Sequence, residues 1–466
     1  SHCGSSGLRL GQSPVFILHP ASMGPEDVEA WDRSIAAEGC SWIPRATAPV
    51  LLVGKSEGRR GPLPPKLQQL VQASNCNLAI EVFEGRLFLA WRTAPQHWPH
   101  KGAQLILASV PFDPQAELTA APAGHWELEG MISLGADVRE PYFFEVGSRL
   151  YFTFFKGSSK NNEFKPERMR IMRRLGPGDW TEPVEWARPG EIVWQFARRP
   201  GDHRLFASGA CFQAGEESRL PGVRVGIYCS EDGEQWHPAE SSTGSGPAKD
   251  PDLPAFPADT SVRNGAGEFG IAFDLNGELW AVGRNEFGDA SGWGSKILRA
   301  SREAPGAPRQ AADKSDPRVF QSCRLFRFGS EIYMISRNDP DGPYWWYQWF
   351  FRWSPSILEF IFYHVSRSFR RTQTILSVLD RSAPTPRVRI LQQLPGCGDT
   401  AFASILRVGR TRFLVANYSS PLEQRCARWP WIRGQFSSEG TQIHMYHLDF
   451  EPAEEPTARS PSIHGS

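Results

Sequence analysis

The chain has 466 residues and sets 51 basic side chains against 51 acidic ones, a formal net charge of zero. That excludes the broad basic surface of a general nucleic-acid binder but leaves room for a local charged pocket. With 40% apolar and 22% charged residues it is a folded globular chain, and its 43 glycines, 39 prolines, 17 tryptophans and 29 phenylalanines imply many turns and many aromatic packing units.

Residues 1–74 read as an N-terminal extension. Pro14–Leu18 is a predicted strand. Pro25–Ala37 is a predicted helix, with Pro and acids in its first turn, where the helix dipole favours them. Ala48–Val53 is a further strand, placed to join and close a ring.

From residue 75 to 451 one phrase recurs six times: a turn, a short apolar strand, then a polar or basic residue where the strand ends. Its copies are Gly85–Arg92, Gly147–Lys156, Asp202–Ser208, Gly277–Arg284, Gly329–Arg337 and Gly409–Tyr418. Each follows another apolar run, and many precede a third, such as Gln104–Ser109 or Val225–Ser230. Short strands with regular turns are an all-β signature, and six units of about four strands predict a six-bladed β-propeller. Blade five carries an insertion at 344–371. Its first ten residues are nearly all aromatic, and Leu358, Ile361, Phe362, Val365 and Phe369 follow at helical spacing. It reads as an amphipathic helix packed on the propeller, with a membrane-surface or protein contact as the sharper alternative. Residues 452–466 read as a disordered tail.

Eight cysteines include no CxxC pair, so no structural zinc site is expected. Cys211 and Cys229 are the candidate disulfide if their strands form a hairpin. His97, His100, His444 and His447 come in pairs without a third ligand, so neither metal nor cofactor is expected.

Inner strands of a propeller line one channel, so equivalent residues of several blades converge on one mouth. Second-strand ends supply Arg92, Lys156, Arg284, Arg337 and Tyr418, an anion-binding floor. Inner-strand starts supply Asp137, Glu140, Glu268 and Asp399, the carboxylates that glycoside hydrolysis needs.

Ser230-Glu-Asp232-Gly233-Glu-Gln-Trp236 resembles the Asp-box of sialidases, a hairpin turn of their propeller blades. The resemblance implies a carboxylate-binding arginine triad, matched by blade position to Arg92, Arg284 and Arg337, and a glutamate base, matched by Glu268. It leaves Asp137 as the acid/base match. The family's tyrosine nucleophile is replaced by Phe402, which has no oxygen to attack with. The expected function is therefore binding of an acidic glycan, with hydrolysis by Glu268 and a second carboxylate such as Glu140. A non-catalytic glycan- or protein-binding scaffold is the alternative. A secreted or extracytoplasmic location is favoured.

Overall fold

The computed structural model describes residues 24–54, 61–118, 125–213, 222–239, 266–289, 291–342, 365–366, 368–422, 428–437 and 439–453. Six antiparallel sheets account for nearly all the described strands. Their inner strands are Ser74–Phe83, Val138–Val146, Glu191–Arg198, Ala266–Phe273, Gln321–Phe328 and Ala401–Arg407. Each inner strand contacts the inner strands of the two neighbouring sheets, and the last contacts the first, so the sheets close into a ring. This is the six-bladed propeller expected from the repeats.

The apolar runs of the inner and second strands follow from this arrangement, because both faces of each blade are covered by its neighbours. Between blades five and six, Phe326, Phe328, Tyr333, Phe413 and Phe450 form one aromatic cluster, with the Phe328 and Phe450 rings 4.0 Å apart. Blade six is built from both ends of the chain. Gln442–Pro452 pairs with Arg412–Ser419 on one side, and with Trp42–Ala46 and Val50–Val53 on the other.

The turn after the third strand of blade three follows the local chemistry of its sequence. The Asp232 carboxylate accepts from the amides of Glu234 and Gln235, the Ser230 hydroxyl accepts from the Gly233 amide, and Trp236 Nε1 donates to the Gly233 carbonyl. The Trp236 ring packs on Phe144, Trp186 and Phe196.

The Cys211–Cys229 pairing is not made. The two strands do form a hairpin, but Cys211 lies opposite Arg224 and Cys229 opposite Phe206, five register positions apart. Cys229 is not in a disulfide, whereas Cys397 is disulfide-bonded. The strand expected at Pro14–Leu18, most of the blade-five insertion and nearly all of the tail lie outside the described residues.

A helix at Pro25–Ala37 caps the end of the ring where the inner strands finish. Its Asp32 is fully buried and accepts from Arg327 of blade five, Arg407 of blade six and the Gly329 amide, all within 2.8 Å. Glu29 accepts from the Gly201 amide of blade three. One carboxylate thus serves as a shared counter-charge for two guanidiniums. Removing it strands them, a change that costs about 3–5 kcal/mol for buried pairs. Asp32→Ala is expected to lower the unfolding free energy by roughly that amount in urea titrations; a loss under about 1 kcal/mol would mean the helix does not latch the ring.

Candidate functional site

Every inner strand carries a β-bulge; five fall at the same register position and the one in blade three falls one residue nearer its turn. The pairing shifts at Cys76/Leu78, Arg139/Tyr142, Val193/Gln195, Gly267/Gly270, Gln321/Arg324 and Ala401/Ser404. The extra residue is Asn77, Glu140, Trp194, Glu268, Ser322 or Phe402. Five of these have φ between +42° and +57°, the left-handed region that non-glycine residues seldom adopt. Such backbone costs about 1–3 kcal/mol per residue and persists only where the surroundings hold it. Here it re-aims six side chains toward the axis.

Contacts across blades confirm that convergence. Trp194 of blade three stacks on Phe402 of blade six, with ring centres 5.4 Å apart and 8° between planes; these blades are opposite in the ring. Asn77 Nδ2 donates to Glu140 Oε1 at 2.5 Å. The Ser322 amide and hydroxyl donate to Glu268 Oε2 at 3.3 and 3.4 Å. Arg324 spans the hub, its guanidinium 4.9 Å from the centre of the Tyr142 ring and 5.2 Å from that of Phe402, donating to the Trp194 carbonyl and the Tyr142 hydroxyl.

The second strands add a matching set. Arg92 lies opposite Cys76, Arg284 opposite Gly267, Arg337 opposite Gln321 and Tyr418 opposite Ala401, each partner being the residue just before a bulge. Lys156 misses this position by one. Phe155 occupies it, and Lys156 pairs instead with the exposed Glu167 at 2.6 Å. A one-residue slip puts a side chain on the other face of its strand. Lys156 is therefore not part of the anion floor.

Arg92 does not reach a ligand either. It is wholly buried and donates to Asp137, to Cys76 Sγ and to the carbonyls of Gln96 and Trp98. Asp137 takes Arg92 on one oxygen and Arg139 on the other, at 2.8 and 2.5 Å. Burial alone would raise its pKa, but Arg139 and Arg92 hold the carboxyl below its usual range. A carboxylate fixed in that state is a poor proton donor, so the expected acid/base role of Asp137 gives way to a structural one.

The remaining expected residues do meet. Arg284 holds Glu268 at 3.0 Å. Arg337 donates to Gln321 Oε1 and the Thr400 carbonyl, with its guanidinium 5.6 Å from the Trp431 ring centre. It feels the charges of Glu268, Arg284 and Asp399. A small cleft is lined by Arg337 together with Gln321, Asp339, Arg370 and Thr372. Tyr418 is buried, and burial, with Asp399 and Cys76 adding to it, pushes its phenol well above the usual range. Glu140 is buried, which pushes its carboxyl up to about 8 against the pull of Arg324 and Arg139, with the Glu268 charge adding to the rise. Asp399 is fully buried beside His97, 2.7 Å from Nδ1.

Sequence reasoning overlooked Arg324, Tyr142 and the partnership of His97 with Asp399. Arg324 and Tyr142 each stand two residues after a bulge residue, on its face of the strand. That periodicity becomes legible only once the bulge is located.

The fold is the six-bladed β-propeller anticipated above. No family model matches the chain, and no curated protein matches it. Among solved structures, a protein of unknown function from Dyadobacter fermentans DSM 18053 is 11% identical; the match covers 88% of this chain and 99% of that one, with a TM-score of 0.52. Trypanosoma rangeli sialidase in complex with sialic acid is 11% identical over 87% of this chain and 58% of its own, with a TM-score of 0.47. Penicillium chrysogenum α-L-arabinanase complexed with arabinobiose is 12% identical over 57% and 72%, with a TM-score of 0.35. At these identities the likeness is one of fold.

The raised Glu140 pKa has a stability consequence. Its ordinary value is 4.5 and its folded value about 8, so between them the folded state keeps a proton that the unfolded state has released. The Glu140 contribution therefore falls as pH rises from 4.5 to about 8. Glu140→Gln should lose less unfolding free energy over that interval than the parent chain; equal pH slopes would mean that Glu140 titrates normally.

Proposed function

We propose that the chain binds an acidic glycan at the hub mouth and hydrolyses it with Glu140 and Glu268. The carrying observation is that two carboxyl groups of one hub sit in opposed environments. Glu140 is buried and keeps its proton up to about 8, while Glu268 lies against the Arg284 guanidinium at 3.0 Å. A buried carboxyl group that keeps its proton can serve as the acid, which leaves Glu268 for the other role. Asn77 occupies Oε1 of Glu140, which leaves Oε2 to carry the proton to a glycosidic oxygen. Glu268 faces the developing positive charge on the sugar and serves as its nucleophile or stabilising anion. Arg337, next to the cleft, and Arg284 supply positive charge for an acidic substituent. Phe402 excludes a covalent intermediate on a tyrosine at that position.

The second reading, a binding propeller without turnover, is favoured by the Trp194–Phe402 stack, which lies across the axis beside these carboxyl groups. A panel of fluorogenic glycosides, including sialosides and arabinofuranosides, separates the two. Hydrolysis is expected for at least one, with kcat reduced about 10²–10⁴-fold in both Glu268→Gln and Glu140→Gln. It is also expected to fall as pH rises through about 8. Glycan binding without any turnover would favour the second reading, and turnover unchanged in Glu268→Gln would remove that residue from the chemistry.

A further inference from the structure

A second titratable pair bridges blades one and six, distinct from Glu140 and Glu268. Asp399 opens the inner strand of blade six and is fully buried. Its backbone is pinned on both sides: its amide donates to Ser420 Oγ and its carbonyl accepts from the Ser420 amide, each at 3.0 Å. Gly434, from the loop between the second and third strands of blade six, sits so close that a Cβ there would lie 2.3 Å from the Asp399 nitrogen. Among the described residues neither carboxylate oxygen has a directed hydrogen bond, and the ionic contact at 2.7 Å is His97 Nδ1. His97 comes from the blade-one loop and is held there by Arg139, which donates to its backbone carbonyl. About 15% of its side chain is exposed, and Nε2, unlike Nδ1, is not among the buried unpartnered atoms.

A buried carboxylate whose one close polar neighbour among the described residues is an imidazole draws on that ring's proton. A neutral imidazole has one proton to give, so a proton on Nδ1 makes Nε2 an acceptor. We propose that Asp399 and His97 form a carboxylate–imidazole dyad that presents Nε2 at the mouth as a proton acceptor for a hydroxyl-bearing ligand. In its working step a ligand O–H bond breaks, the proton passes to Nε2, the electron pair stays on the ligand oxygen, and Asp399 faces the resulting imidazolium. Burial keeps the His97 ring neutral at pH 7, lowering its pKa; Arg139 and Arg92 add to this, and Asp399 opposes it. Tyr418, Cys76 and Arg337 are the other titratable groups that sense Asp399. The dyad does not require the glycan reading and would serve any ligand that brings a hydroxyl to the mouth.

The test is diethyl pyrocarbonate labelling of the full chain at pH 7, mapped by peptide mass. His203, 75% exposed, is the open reference, and the buried His444 and His447 are the closed ones. His97 is expected to react along with His203 while His444 and His447 stay unmodified. Asp399→Asn is expected to slow His97 labelling severalfold without changing the rate at His203. Retained protection of His444 and His447 reports that this variant is folded. If the variant does not fold, the tautomer of His97 in the intact chain decides, read from nitrogen-15 correlation spectra assigned with His97→Gln. A proton on Nδ1 supports the dyad, and a proton on Nε2 overturns it. An unlabelled His97, or one labelled equally fast in folded Asp399→Asn, overturns it as well. A chain that hydrolyses no glycoside would sink the proposed function and leave these readouts intact.

Discussion

One bulge in each of the six inner strands, five of them at a common register position, shapes the hub of this propeller. A regular inner strand would alternate its side chains between the two blade interfaces and send few of them to the axis. The extra residue in each strand turns one side chain inward, and the ring closes those six toward each other. The Trp194–Phe402 stack, the Asn77–Glu140 bond and the Ser322–Glu268 bonds are consequences of that single local device. The left-handed backbone at five of these positions is strain that the surrounding sheets must hold in place.

The two ends of the channel are handled differently. At one end Asp32 of the N-terminal helix satisfies Arg327 and Arg407 and seals the ring. At the other, charged groups are brought together but left unevenly matched. Asp137 has two guanidiniums, Glu268 has one, and Glu140 lies in an environment that favours its neutral form. The sealed end serves stability, and the uneven end holds the candidate site.

Much of the fold was legible because turn-strand-turn repetition is written in local residue types, and six copies of it define a ring. The site was legible at Glu140, Glu268, Arg284 and Arg337, whose distances from the turns preserve strand register. Lys156 was misplaced because the repeat phrase in blade two is one residue longer, and period-two alternation sends that residue to the opposite face. Arg92 was correctly aligned with Arg284 and Arg337, yet its partner Asp137 is 45 residues away and in the next blade, which no local pattern reveals. Arg324, Tyr142 and the His97–Asp399 contact depend on where the bulges fall and how loops from different blades meet. Neither is written in the residues concerned.

The account depends on Glu140 being neutral at pH 7 in the hub that also holds Glu268. Carbon-13 titration of the glutamate carboxyl groups, with Glu140→Gln to assign the resonance, measures this directly. A midpoint near 8 agrees with the proposed acid; one near the ordinary 4.5 would mean that Glu140 is ionised at neutral pH and would remove the acid from the site.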